Sequence, residues 1–151
     1  MTILHDHPTS DTGALAALIR DALIDQSYPE RVEVCIHTVD AETIRRHNRE
    51  AFGKDHPTDV VSFPVEDLLP GVAPTVDPGG PPLVLGDVFI APEVVVERAA
   101  QHGYDADAEM ALMAVHGVLH LMGYDHVEDD EAETMEAIET RILAKHGMGR
   151  R

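Results

Sequence analysis

The stretch His116-Gly117-Val118-Leu119-His120-Leu121-Met122-Gly123-Tyr124-Asp125-His126 decides how this chain folds. Counting back to Met110, the 13 residues 110–122 are all apolar or glycine except His116 and His120. A helix that is hydrophobic all round belongs at the centre of a fold, and this run is too short to span a bilayer. Histidines four apart project from one helix face, with their rings in reach of a single ion. Gly123 stands where the helix should stop, because glycine tolerates the left-handed conformation that turns a chain back. The turn can then deliver His126 to the same point. Three imidazoles meeting there suit one tetrahedral Zn2+ with a fourth position open to water or substrate. In a chain with ten histidines, ordinary core packing would explain the first two, but not a third beyond a helix stop.

The flanking sequence predicts an α+β domain around that helix. Asp11 or Thr12 can cap a helix carrying Leu15, Leu18, Ile19, Ala22 and Leu23 on one face, ended by Tyr28-Pro29. Val32 to Val39 alternates as a half-buried strand, and Asp40 caps a short polar helix through Glu50. Asp59 to Phe63 reads as a short strand. Residues 64–82 hold six of the ten prolines and predict a long exposed loop. Leu83 to Ala91 is the next strand, and Pro92 opens a helix that Gly103 stops. Asp105 or Asp107 caps the histidine helix, and a last helix runs from Glu128 to His146. No repeat or linker divides residues 1–151, so the expectation is one compact domain. Its small mixed sheet should have about four strands packed with about five helices, the buried histidine helix at the centre.

The 151 residues include 28 acidic and 11 basic side chains, a net charge of −17. An apolar content of 44% suits a chain that needs no disulfides to hold its core. Cys35 is the sole cysteine, which excludes an intrachain disulfide and a thiolate zinc site. The opening MTILHDHPTSD lacks the basic-then-apolar pattern of a secretory leader, so a cytoplasmic location is expected. The acidic balance disfavours anionic membranes and loose wrapping of nucleic acid, DNA included.

The spacing H-x3-H-x5-H is that of the metzincin proteases, whose motif carries Glu after the first histidine as general base. Here that position is Gly117, so the same metal geometry should serve another reaction. HGVLHLMGYDH closely resembles the H-G-x-L-H-L-x-G-Y-D-H signature of the YbeY family, bacterial metal-dependent endoribonucleases of rRNA maturation. The resemblance continues upstream. Residues 54–64, KDHPTDVVSFP, are similar to the family's K-D-x-P-T-D-V-x-S-F-P, and Leu85 to Ile90 with Pro92-Glu93 to its L-G-D-I-x-I-x-P-E. It implies that His116, His120 and His126 ligate zinc in an RNase that prefers single strands. It further implies a role at the 3′ end of small-subunit (16S) rRNA and in ribosome quality control, with a small-subunit ribosomal protein and an Era-type GTPase as partners.

One departure stands out: where many members carry Arg before G-K-D, this chain has Phe52. A general base is not identified. Asp87 and Asp125 are candidates to orient a ligand histidine or accept a proton; equally, Asp87 caps backbone at a strand end and Asp125 serves the turn. Ser62 either lines the cleft or satisfies a neighbour. Substrate phosphates could be met by the basic stretch containing Arg45, Arg46, Arg49 and Lys54, the alternative being a solvated helix face. Arg150-Arg151 is the other basic spot. So few cations on an acidic surface predict weak binding to naked RNA with a shallow salt dependence. Two other functions remain open: a ribosome-assembly factor in which zinc is structural, and a small metalloprotease.

Overall fold

The computed structural model describes residues 1–5 and 12–151. Four strands, β1 (Thr2–His5), β2 (Val32–Thr38), β3 (Val60–Pro64) and β4 (Leu83–Ile90), form one sheet in the order β1-β2-β4-β3. The first three neighbours in that order run parallel, and β3 pairs antiparallel with β4 at the edge. Parallel neighbours need crossover connections, and helix α1 (Thr12–Asp25) supplies the one between β1 and β2. The other helices are α2 (Ala41–Phe52), α3 (Pro92–His102), α4 (Ala106–Leu121) and α5 (Asp129–Lys145). The mixed sheet and the helices make the expected α+β architecture.

The sequence signals act locally as anticipated. The Asp40 carboxylate accepts from the Thr43 amide at the start of α2, and Asp105 accepts from the amides of Asp107 and Ala108 at the start of α4. Pro92 takes the first turn of α3, where its missing N–H costs nothing. The Asp11 cap falls outside the described residues.

Helix α4 is the hub. It packs against α1, α3, α5 and the inner face of β3 and β4. Ala114, Val115, Val118, Leu119 and Leu121 are completely buried, joining Leu18 and Ile19 of α1 and Ile142 and Leu143 of α5 in the main core. A smaller cluster on the opposite face of the sheet joins Ile44 of α2 to Val61, Ala91 and Val94, with Phe63 and Phe89 beside it.

The segment between β3 and β4 contains neither helix nor strand, as its prolines dictate. It is exposed along most of its length, as expected, and rests on the domain through a few side chains. Leu68, Ala73 and Val76 pack on the main core. The Arg31 guanidinium donates to the carbonyls of Pro78, at 2.7 Å, and of Gly80. The apolar residues spaced among the prolines give the loop a partly buried side.

Candidate metal centre and its cleft

Position 117 explains how α4 comes so close to the sheet. A Cβ added there would lie 2.5 Å from Val88 Cγ1, 3.2 Å from Val60 Cγ2 and 3.3 Å from Ser62 Oγ. Glycine is therefore required by close approach, and a carboxylate at 117 would have no room. Ser62 fills both roles open to it: it lines the cleft, and its hydroxyl donates to the Gly117 carbonyl at 2.8 Å.

Beyond α4 the chain turns at Gly123, whose φ of +95° a side chain rarely adopts. The Leu68 backbone of the proline-rich loop sits where a Cβ would project. Tyr124, largely buried, anchors the turn by donating its hydroxyl to Gln26 Oε1. Asp125 accepts from the His126 amide at 2.8 Å. These interactions fold His126 back over the helix.

The three imidazoles converge, with candidate ligand atoms of His116, His120 and His126 all within 4.8 Å of one another. The Nε2 atoms of His116 and His120 are 3.0 Å apart. That is close to the roughly 3.3 Å expected for two nitrogens about 2.0–2.1 Å from one tetrahedral ion. Partners at the far side of two rings fix which nitrogen faces inward. His120 Nδ1 donates to the Tyr124 carbonyl at 2.9 Å, and His116 Nδ1 donates to Glu139 Oε2 at 3.3 Å. With both rings neutral, lone pairs on the two Nε2 atoms face each other at 3.0 Å, an arrangement a shared cation would relieve. The donor set fits a borderline metal such as zinc, and three such ligands would leave a further position for water or substrate.

Glu139 is 2% exposed, and no feature of the sequence alone had singled it out. Its signal was there: it is an acid on the face of α5 that buries Met135, Ile138, Ile142 and Leu143. Replacing it with Gln should weaken zinc or cobalt binding by about 10- to 100-fold, the usual effect of removing a carboxylate behind a ligand histidine. Chelator competition on the folded variant measures this; unchanged affinity would make Glu139 a packing residue.

Burial, and secondarily the charge of His116, pushes the His120 pKa down to about 4. In the metal-free protein this ring stays neutral where an unfolded histidine, with a pKa near 6.5, takes up a proton. The unfolded state binds more protons between those values, so stability is full above pH 6.5 and declines toward pH 4. Denaturant melts of metal-free wild type and His120→Gln at pH 7 and 5 test this, with the variant expected to lose less on acidification.

The triad opens into a cleft of about 810 Å³ walled by the 52–64 segment, the turn after α4, and Glu139, Arg150 and Arg151. Asp125 and Lys54 line it, and so do Phe52 and Asn48. Asn48, 4% exposed, donates to the His56 carbonyl and pins the wall to α2. Arg45, Arg46 and Arg49 are outside this lining. Asp55 takes the guanidinium of Arg45 at 3.0 Å and lies 3.8 Å from that of Arg49. Asp87 is also elsewhere. It lies on the opposite face of the sheet, hydrogen-bonded to His37 Nε2 at 2.7 Å. Phe52 stacks on Phe63 at 6.4 Å and offers the cleft an aromatic face instead of a charge.

Among the described residues, no helix is long and apolar enough to cross a membrane. In overall fold, the chain is similar to the solution structure of TM1509 from Thermotoga maritima, with a TM-score of 0.64 over 97% of this chain and 92% of that one at 21% identity. The family described as Endoribonuclease YbeY matches residues 5–147. Among curated relatives named Endoribonuclease YbeY, one from Geobacillus thermodenitrificans is 42% identical, covering 90% of this chain and 86% of its own length. Another, from Lysinibacillus sphaericus, is 38% identical over 94% of this chain and 95% of its own length. A third, from Salinispora tropica, is 37% identical over 89% and 87%. With its histidine helix, its turn and the 52–64 wall of its cleft all inside the matched span, this chain belongs to the YbeY endoribonuclease family.

Proposed function

We propose that this protein is a zinc-dependent endoribonuclease that prefers single strands and matures the 3′ end of 16S rRNA. The convergence of three imidazoles in an open cleft, in a chain of this family, carries the reading. His116, His120 and His126 would hold one Zn2+. When bound, the ion lowers the pKa of water toward about 7 and polarises a phosphoryl oxygen. The chain's own residues do the rest. Glu139 and the Tyr124 carbonyl hold two rings in register. Asp125, beside His126 in the cleft, is the candidate proton acceptor, while the position of Asp87 supports a structural role with His37. Lys54 provides a charge on the wall, and Phe52 a face on which a base can stack. Arg46 and Arg49 would act only outside the cleft, on flanking RNA.

The proposed setting is the cytoplasm, on the small ribosomal subunit, with a small-subunit ribosomal protein and an Era-type GTPase as partners. The net charge of −17 supports dependence on such partners, because general attraction to RNA is missing. A peptidase reading is disfavoured because position 117 faces Val88 and cannot carry a general base into the cleft. The assembly-factor reading draws on Phe52, which removes a cation from the wall. Metal analysis together with digestion of single-stranded RNA, with and without EDTA and ribosomal subunits, decides between them. Metal-dependent cleavage is the expected result; stoichiometric zinc without cleavage under every condition would favour the assembly factor.

A further inference from the structure

If the cleft binds RNA as proposed, most of its cations must come from somewhere other than the basic stretch at 45–56. Arg45 and Arg49 face Asp55 outside the cleft, and of that stretch's basic residues only Lys54 lines it. The opposite wall supplies the missing charge. Arg150 and Arg151, which follow α5, both line the same cleft as the three histidines. Arg150 is held from behind, with Nη2 3.5 Å from Glu136 and Nε 3.7 Å from Glu139 Oε1. Its Nε is buried without a hydrogen-bond partner. Arg151 donates through Nε to Glu109 at 3.0 Å, and its guanidinium carbon lies 5.5 Å from the centre of the Tyr104 ring. Among the described residues, its two terminal nitrogens make no hydrogen bond to protein. A guanidinium steadied by a carboxylate and an aromatic ring keeps donors in a fixed fork, the geometry that recognises phosphate.

We propose that Arg150 and Arg151 form a phosphate clamp for the RNA backbone. The inference rests on the endoribonuclease reading. Glu139 lies between Arg150 and His116, so the clamp stands back from the metal position. It therefore grips a phosphodiester neighbouring the scissile one and serves binding more than bond cleavage.

The test uses metal-loaded protein and a single-stranded oligoribonucleotide, comparing wild type with Arg151→Gln, Arg150→Lys and the double variant. Arg150→Lys keeps a cation beside Glu139, which protects the fold while removing the planar fork. Arg20→Gln, on an exposed position of α1, is the control. The expected result is a KM raised about tenfold for Arg151→Gln and more in the double variant, with kcat within about twofold and zinc content unchanged. The slope of log(kcat/KM) against log salt should become shallower by roughly 0.7 for each phosphate no longer engaged. Unchanged KM and salt slope in active variants would overturn the clamp and leave the nuclease reading standing, as would a loss confined to kcat or zinc content. A metal-loaded wild type that cleaves no RNA, alone or with ribosomal subunits, would overturn both together.

Discussion

His116→Ala should yield a folded protein that retains no stoichiometric metal ion and cleaves single-stranded RNA at least about a thousandfold more slowly, equivalent to roughly 4 kcal/mol less transition-state stabilisation. The ring is tied into the site from several sides. Its Nε2 faces His120 Nε2 at 3.0 Å, its Nδ1 is oriented by Glu139, and its position on α4 aims it into the cleft. Without it, His120 and His126 offer two ligands, and His126 is exposed. The fold should survive, because His116 is only partly buried and Glu139 keeps Arg150 nearby. His126→Ala should match it in metal loss with still less effect on stability. Metal analysis and cleavage assays at saturating zinc make the comparison. Cleavage by His116→Ala at the wild-type rate would show that the metal centre is not where the reaction occurs.

Gly123→Ala is expected to be the most damaging single-methyl change, costing about 3 kcal/mol of stability. Two penalties add. A φ of +95° strains any residue with a Cβ, and the Leu68 carbonyl carbon would be only 2.8 Å from the new atom. Backbone cannot move aside as a flexible side chain does, so either the loop lifts from Gly123 or the turn unwinds. The melting temperature should fall by roughly 6–12 °C for a domain of this size. Because the same turn delivers His126, zinc affinity should fall as well. Gly13→Ala in α1 is the matched comparison: nothing lies within 4 Å of its added Cβ, and the helix should gain up to about 1 kcal/mol. A Gly123→Ala protein that melts within about 2 °C of wild type and holds zinc equally well would refute this explanation.

What could be read in advance divides along physical lines. The histidine helix was legible because its burial is written in consecutive apolar residues, and its stop in Gly123. Strand β1 was not, since four residues give too little alternation to count. Asp87 shows a subtler limit. Counting alternate residues from buried Leu85 puts Asp87 on the core side, but the pairing of β2 with β4 shifts register between Glu33 and Val34, opposite Val84 and Gly86. That irregularity turns Asp87 and Phe89 to the outer face, and strand parity in one sequence cannot reveal it. The charged residues need the tertiary structure for another reason. A local count makes residues 45–56 a basic patch, yet Asp55 within that stretch takes up two of its arginines. Conversely, Glu139 and Arg150 join the site only through tertiary packing across the gap between α4 and α5.

That division also governs the order in which the centre assembles. All three candidate ligands lie within the 11 residues 116–126, so the chain carries them as a local chelator before any tertiary structure exists. A metal ion can therefore bind the denatured ensemble too, and it raises native stability by less than its affinity for the folded site would suggest. Glu139 joins them only where α5 packs on α4. Its hydrogen bond with His116 is one of the features that would separate native from denatured affinity, so part of the linkage between metal and folding would be set by a residue outside the three candidate ligands.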